Sequence, residues 1–120
     1  MNSIAILFSG QGAQSTGMGN DIYNKSTEAK KLFDMGEELR PGTLGVCFGT
    51  DNAALTMTEN AQPALFLTGL AFSYELRRAG INASATAGFS LGEIPALAYS
   101  GILSNEDIRY KITKTFVGQL

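Results

Sequence analysis

The chain has 120 residues, 44% of them hydrophobic and 17% charged. That balance excludes a disordered tail and allows one domain with one core. Nine Lys and Arg against eleven Asp and Glu give a net charge of −2, which argues against the basic face a nucleic-acid binder needs. No apolar run approaches the roughly 20 residues of a membrane span, and the opening residues do not read as a secretory leader. The single cysteine, Cys47, rules out an internal disulfide and fits a reducing, cytoplasmic compartment. The chain contains no His, so any Ser-His, Cys-His or His-metal site confined to it is excluded. With one Cys, a cysteine-rich zinc site is excluded too, and no metal site is expected.

Ser3 to Phe8 is a short apolar run closed by Ser9-Gly10, the pattern of a strand buried on both faces. A Gly-rich loop follows, from Gly10 to Gly19. Asn20 to about Leu39 reads as helical, with Ile22, Tyr23, Ala29, Leu32, Phe33 and Met35 on one face and a break near Asn24–Ser26. Arg40-Pro41-Gly42 ends it. Residues 43–60 have a poor period and read as short helices and loops. A strong helix starts at Asn60-Ala-Gln-Pro63, with Pro63 expected in its first turn, and closes at Arg77-Arg78-Ala79-Gly80. Its apolar residues surround it, so it is expected to be buried on more than one side. A second short strand is expected around Thr86. A tight turn at Gly88–Gly92 follows, then a helix from Leu91 to Ser100 stopped by Gly101. Ser104-Asn-Glu-Asp107 opens a last helix towards Phe116. The order implies a partial parallel α/β sheet with flanking helices.

Gly88-Phe89-Ser90-Leu91-Gly92 fits G-x-S-x-G in the context that motif requires, between a strand and a helix. The turn forces Ser90 into a strained backbone, and the flanking glycines remove Cβ atoms that would clash. The hydroxyl then projects into open space beside the Leu91 N–H. Such a donor can stabilise a developing oxyanion by about 3–4 kcal/mol. Read as plain structure, the same residues are a strand–helix turn with Ser90 as its cap. The Gly10-Gln11-Gly12 loop is neither a Walker loop, which needs Gly-Lys-Ser/Thr, nor a dinucleotide fingerprint, since Ser15 stands where the third Gly belongs. At the carboxyl end of a parallel strand it can still offer backbone N–H groups to an anion. If the two strands are neighbours, Gln11 and Leu91 face one crevice. Cys47 reads as a small apolar residue, and Arg109, Lys111 and Lys114 read as a solvated helix face.

Three segments together resemble the malonyl-CoA:acyl carrier protein transacylase family. They are Phe8-Ser-Gly-Gln-Gly-Ala-Gln14 with Gly17-Met-Gly19; Thr58-Glu-Asn-Ala-Gln-Pro-Ala-Leu65; and Ala87-Gly-Phe-Ser-Leu-Gly-Glu93, followed by Ala96-Leu97 and Ser100-Gly-Ile-Leu-Ser104. The resemblance runs over nearly the whole chain and covers well under half of a typical member. It implies that residues 1–120 are the N-terminal part of the acyltransferase domain, without the family's ferredoxin-like subdomain and C-terminal part. It implies Ser90 as the acyl-accepting nucleophile and the backbone N–H groups of Gln11 and Leu91 as the oxyanion hole. Gly10, Gly12, Gln62 and Gly92 would line the substrate site. The implied reaction is ping-pong: a malonyl or other acyl group moves from CoA to Ser90 and then to an acyl carrier protein, in fatty acid or polyketide biosynthesis. The CoA thioester is a substrate, and no cofactor is implied.

Two departures qualify the resemblance. Phe89 stands where the family usually has His. Thr115, or Val117 after a two-residue slip, stands where malonyl-specific members carry a carboxylate-pairing Arg, which puts malonyl selectivity in doubt. The family's general-base His comes from later in its chain, so these 120 residues alone are expected to be nearly inactive. An acyl-thioester hydrolase of the same fold and a non-catalytic truncated or binding fragment remain alternatives. An α/β-hydrolase esterase shares G-x-S-x-G but does not predict Gly-Gln-Gly-Ala-Gln at the start. Open sheet edges predict a homo-oligomer.

Overall fold

A computed structural model describes residues 3–101. The helix expected from Ser104, with Arg109, Lys111, Lys114, Thr115 and Val117, lies outside the described residues. Strand β1 is Ala5–Phe8 and β2 is Ala85–Gly88. They pair in parallel with Ala5 opposite Ala85 and Phe8 opposite Gly88. Between them come α1 (Asn20–Lys25), α2 (Thr27–Leu39), α3 (Thr43–Phe48), α4 (Asn52–Thr56) and α5 (Thr58–Arg78). After β2, a single 3-10 turn at Ser90–Gly92 leads into α6 (Glu93–Ser100).

The break expected near Ser26 is present. Ser26 has extended backbone and its Oγ accepts the Ala29 N–H at 3.1 Å, capping α2. The same hydroxyl donates to Glu75 of α5 at 2.8 Å, which joins the two helices. Ion pairing with Arg78, then this hydroxyl, holds the Glu75 carboxyl below its usual range. The poorly periodic stretch resolves into α3 and α4, each only five or six residues long.

Helix α5 starts two residues earlier than the sequence suggests, so Pro63 falls in its second turn rather than its first. The reason lies at Asn60. Its side-chain amide donates to the Ala54 carbonyl at 2.9 Å and completes the end of α4 instead of opening α5. Pro63 therefore leaves the Glu59 carbonyl without a helical donor. The helix is buried around most of its girth: Ala61, Pro63, Ala64, Leu65, Phe66, Leu67, Leu70, Ala71 and Ser73 are all inside.

The strands differ from expectation in one respect. Ile6 and Phe8 turn towards the helices, and Phe8 lies against Gly69 of α5 and within 6.4 Å, centroid to centroid, of the Tyr99 ring. The alternate side chains do not: Leu7 is 77% exposed. A continuous apolar run says that both faces can be buried, not that they are. Among the described residues, helices cover one face only.

At the far end of the sheet Arg77 joins α5 to α6. Its guanidinium stacks 4.1 Å over the Tyr99 ring and donates to the Tyr99 carbonyl at 2.6 Å. The Tyr99 hydroxyl accepts the Ala83 N–H just before β2. Gly101 closes α6 in the left-handed conformation, as its position predicts.

Candidate active site

The site is built where the chain leaves the two strands. Pairing continues one step past β2, since the Phe89 N–H donates to the Phe8 carbonyl at 3.2 Å. Ser90 follows with φ of 56°, the one non-glycine residue at positive φ among those described. Holding an L-residue there costs of order 1–3 kcal/mol and persists only where the surroundings dictate it. Here they do. A Cβ on Gly88 would overlap the Gly92 carbonyl, and a Cβ on Gly92 would overlap the Phe8 carbonyl. The bend is thus closed backbone against backbone, and Ser90 is left exposed at its apex. The 3-10 turn places α6 two residues later than expected. Leu91 is buried and sits within the first turn, where N–H groups have no intrahelical acceptor.

The Gly-rich loop meets this bend directly. A Cβ on Gly10 would come 2.6 Å from the Phe89 carbonyl and 3.3 Å from its ring, so only glycine fits. The condition set by the sequence, that the two strands be neighbours, is met. The Gly-rich loop therefore leaves β1 against the residue that precedes Ser90. The Ala13 N–H closes a turn on the Gly10 carbonyl at 3.4 Å, and Gly12 has φ of 112°. Among the described residues the Gln11 N–H has no protein acceptor. The Gln11 side chain is occupied: its amide donates to Thr58 Oγ1 at 3.0 Å. Gln62 lies one turn beyond Thr58, on the same helix face, and is half-buried. The Phe89 ring is 79% exposed at the rim of the site.

Three features escape a reading of the sequence. Thr58 and Gln14 belong to the quoted motifs, but nothing local says what their side chains hold. A hollow of about 210 Å³ lies under the loop, lined by Ser9, Ala13, Ser15, Met18, Thr68 and Pro95 among others. Cys47 lies outside the crevice, fully buried, and donates to the Met18 carbonyl at 3.2 Å. Burial pushes its thiol up to about 11, so it is a thiol at neutral pH and serves packing. Among the described residues no cluster of His, Cys, Asp or Glu could hold a metal ion, and no helix is long and apolar enough to cross a membrane.

Fold and bend define an α/β protein whose second parallel strand ends in a tight strand–turn–helix bend with Ser90 at its apex. The chain belongs to the acyl transferase domain family, whose model matches residues 6–113. It is 44% identical over 115 residues to a malonyl CoA-acyl carrier protein transacylase of Bacillus subtilis, covering 95% of this chain and 36% of that one. The malonyl-CoA:ACP transacylase of Synechocystis superposes with a TM-score of 0.86 at 31% identity, over 96% of this chain and 38% of that one. A structure of a type II PKS acyl-carrier protein in complex with its malonyl-transacylase superposes with a TM-score of 0.84 at 25% identity, over 97% of this chain and 37% of that one. The chain thus spans somewhat more than a third of the length of these relatives.

Proposed function

We propose that this chain carries the nucleophile side of an acyl-transfer site. The acyl donor is malonyl-CoA or another acyl-CoA, and the acceptor is the phosphopantetheine thiol of an acyl carrier protein. The observation that carries the reading is Ser90, held exposed at positive φ on a backbone-tight bend against which Gly10 of the Gly-rich loop is packed. The Ser90 hydroxyl attacks the thioester carbonyl as its proton leaves to a base. The carbonyl oxygen becomes an oxyanion between the N–H groups of Gln11 and Leu91. The C–S bond then breaks, CoA leaves as the thiol, and an ester remains on Ser90. Attack by the carrier thiol reverses these steps with a new leaving group. The 120 residues hold no His, so a base of the family's kind must reach Ser90 from outside them. Without such a base about 10³–10⁴ over the uncatalysed rate is expected.

Incubation with malonyl-CoA followed by intact-mass measurement tests the reading. Slow gain of one malonyl group by the parent chain, abolished in Ser90→Ala, is the expected result. Absence of any Ser90-dependent adduct over a day at millimolar malonyl-CoA overturns it and leaves a binding role. Added holo carrier protein should collect the acyl group; release as free acid instead would mark a thioester hydrolase.

A further inference from the structure

Two N–H groups can stabilise an oxyanion only if both stay aimed at one point. The Leu91 donor is fixed by the elbow. The Gln11 donor is on a loop where residues 11–13 are exposed, so packing does not set its direction. The two ends of the loop are tied. Gly10 is wedged against Phe89. The Gly17 N–H donates to the Cys47 carbonyl at 3.0 Å, and Cys47 Sγ donates to the Met18 carbonyl. Between those ties, residues 11–16 are largely exposed. Two side chains act on this span. Thr58 Oγ1 accepts from the Gln11 side-chain amide at 3.0 Å across 47 positions of sequence. Gln14 Oε1 accepts the Gly12 N–H at 2.8 Å.

Resting on the acyl-transfer reading, we propose that Thr58 is a positioning residue for the oxyanion hole: it holds the Gln11 side chain to the start of α5, so that the Gln11 backbone N–H stays turned into the Ser90 crevice. Gln14 completes the device. By taking the Gly12 N–H it removes the donor adjacent to Gln11 from competition for the same oxyanion. Thr58 is the first residue of α5, and the start of that helix is itself fixed by the Asn60 amide on the Ala54 carbonyl. The clamp therefore refers the loop to the most deeply buried element of the fold. Thr58 touches no reacting atom. Its effect falls on the rate of acyl transfer and not on affinity for the acyl donor, because the oxyanion exists only as the reaction proceeds.

The test compares Thr58→Val, which keeps the shape and loses the acceptor, with Thr58→Ser, which keeps the hydroxyl. In single-turnover acylation by malonyl-CoA read by intact mass, Thr58→Val should be slower by about 10- to 30-fold. The half-saturating malonyl-CoA concentration and the melting temperature should be unchanged, and Thr58→Ser should restore the rate to within about threefold. Equal rates for the parent and Thr58→Val overturn the proposal. So does an equal loss in both variants, which would mark a packing role. Should the parent itself acquire no Ser90-dependent mass, the acyl-transfer reading fails instead. The clamp is then decided by amide hydrogen exchange: exchange at Gln11 and Gly12 at least fivefold faster in Thr58→Val supports it, and unchanged exchange overturns it.

Discussion

The elbow and the helical layer solve opposite problems. Around α2 and α5 the chain closes with side chains: Phe33, Leu55, Phe66, Leu67 and Leu70 are fully buried, and ordinary helical backbone carries them. Around Ser90 the chain closes with its own backbone. Gly88, Gly92 and Gly10 each abut a carbonyl, and the residue at the apex is strained and exposed. The first region holds the fold through many interchangeable contacts. The second contributes little burial and depends on a few residues that cannot be exchanged.

Substitutions can break this contrast. The largest effect is expected at Gly92→Ala, whose methyl group would overlap the Phe8 carbonyl and separate β1 from the elbow. Loss of a cooperative denaturant transition is expected. Gly45→Ala in α3 meets nothing within 4 Å and should raise stability by about 0.5–1 kcal/mol, so the number of glycines is not what matters. Next comes Phe66→Ala, which opens a cavity in the layer and should cost about 3–5 kcal/mol in equilibrium unfolding. Its folded fraction should still take an acyl group on Ser90. The smallest effect on stability, and the sharpest on function, is expected at Ser90→Gly. Relief of the positive φ should stabilise the chain by about 0.5–1 kcal/mol while abolishing acylation. A destabilised Ser90→Gly chain would show that the bend is not strained.

The elbow is legible because its geometry is local. Five consecutive residues state both the strained serine and the space it needs, and Gly88 and Gly92 are glycines for the reason the motif implies. The break at Ser26 and the stop at Gly101 were legible on the same ground, each being a property of one turn of chain. Other features depend on partners remote in sequence. That Gly10 must be glycine follows from the Phe89 carbonyl, 79 positions on. The hydroxyl of Thr58 finds Gln11 only once α5 is laid beside the loop. Pro63 stands one turn further into its helix than the sequence suggests, because Asn60, which reads as the start of that helix, serves the preceding one instead. Leu7 was read as buried because hydrophobicity reports what a face can tolerate, and neighbours decide what covers it.

Helix α5 touches both halves of the crevice by indirect routes. Its first residue holds the Gly-rich loop through Gln11, and Arg77, near its last, grips the end of the helix that grows from the elbow. On the acyl-transfer reading proposed above, this rod of 21 residues, about 30 Å long, would act as a gauge block for two amide hydrogens that belong to segments some eighty positions apart. Its rung at Pro63 lacks an N–H donor, so the portion nearest the loop is held by the packing of the buried Pro63 ring in place of that hydrogen bond.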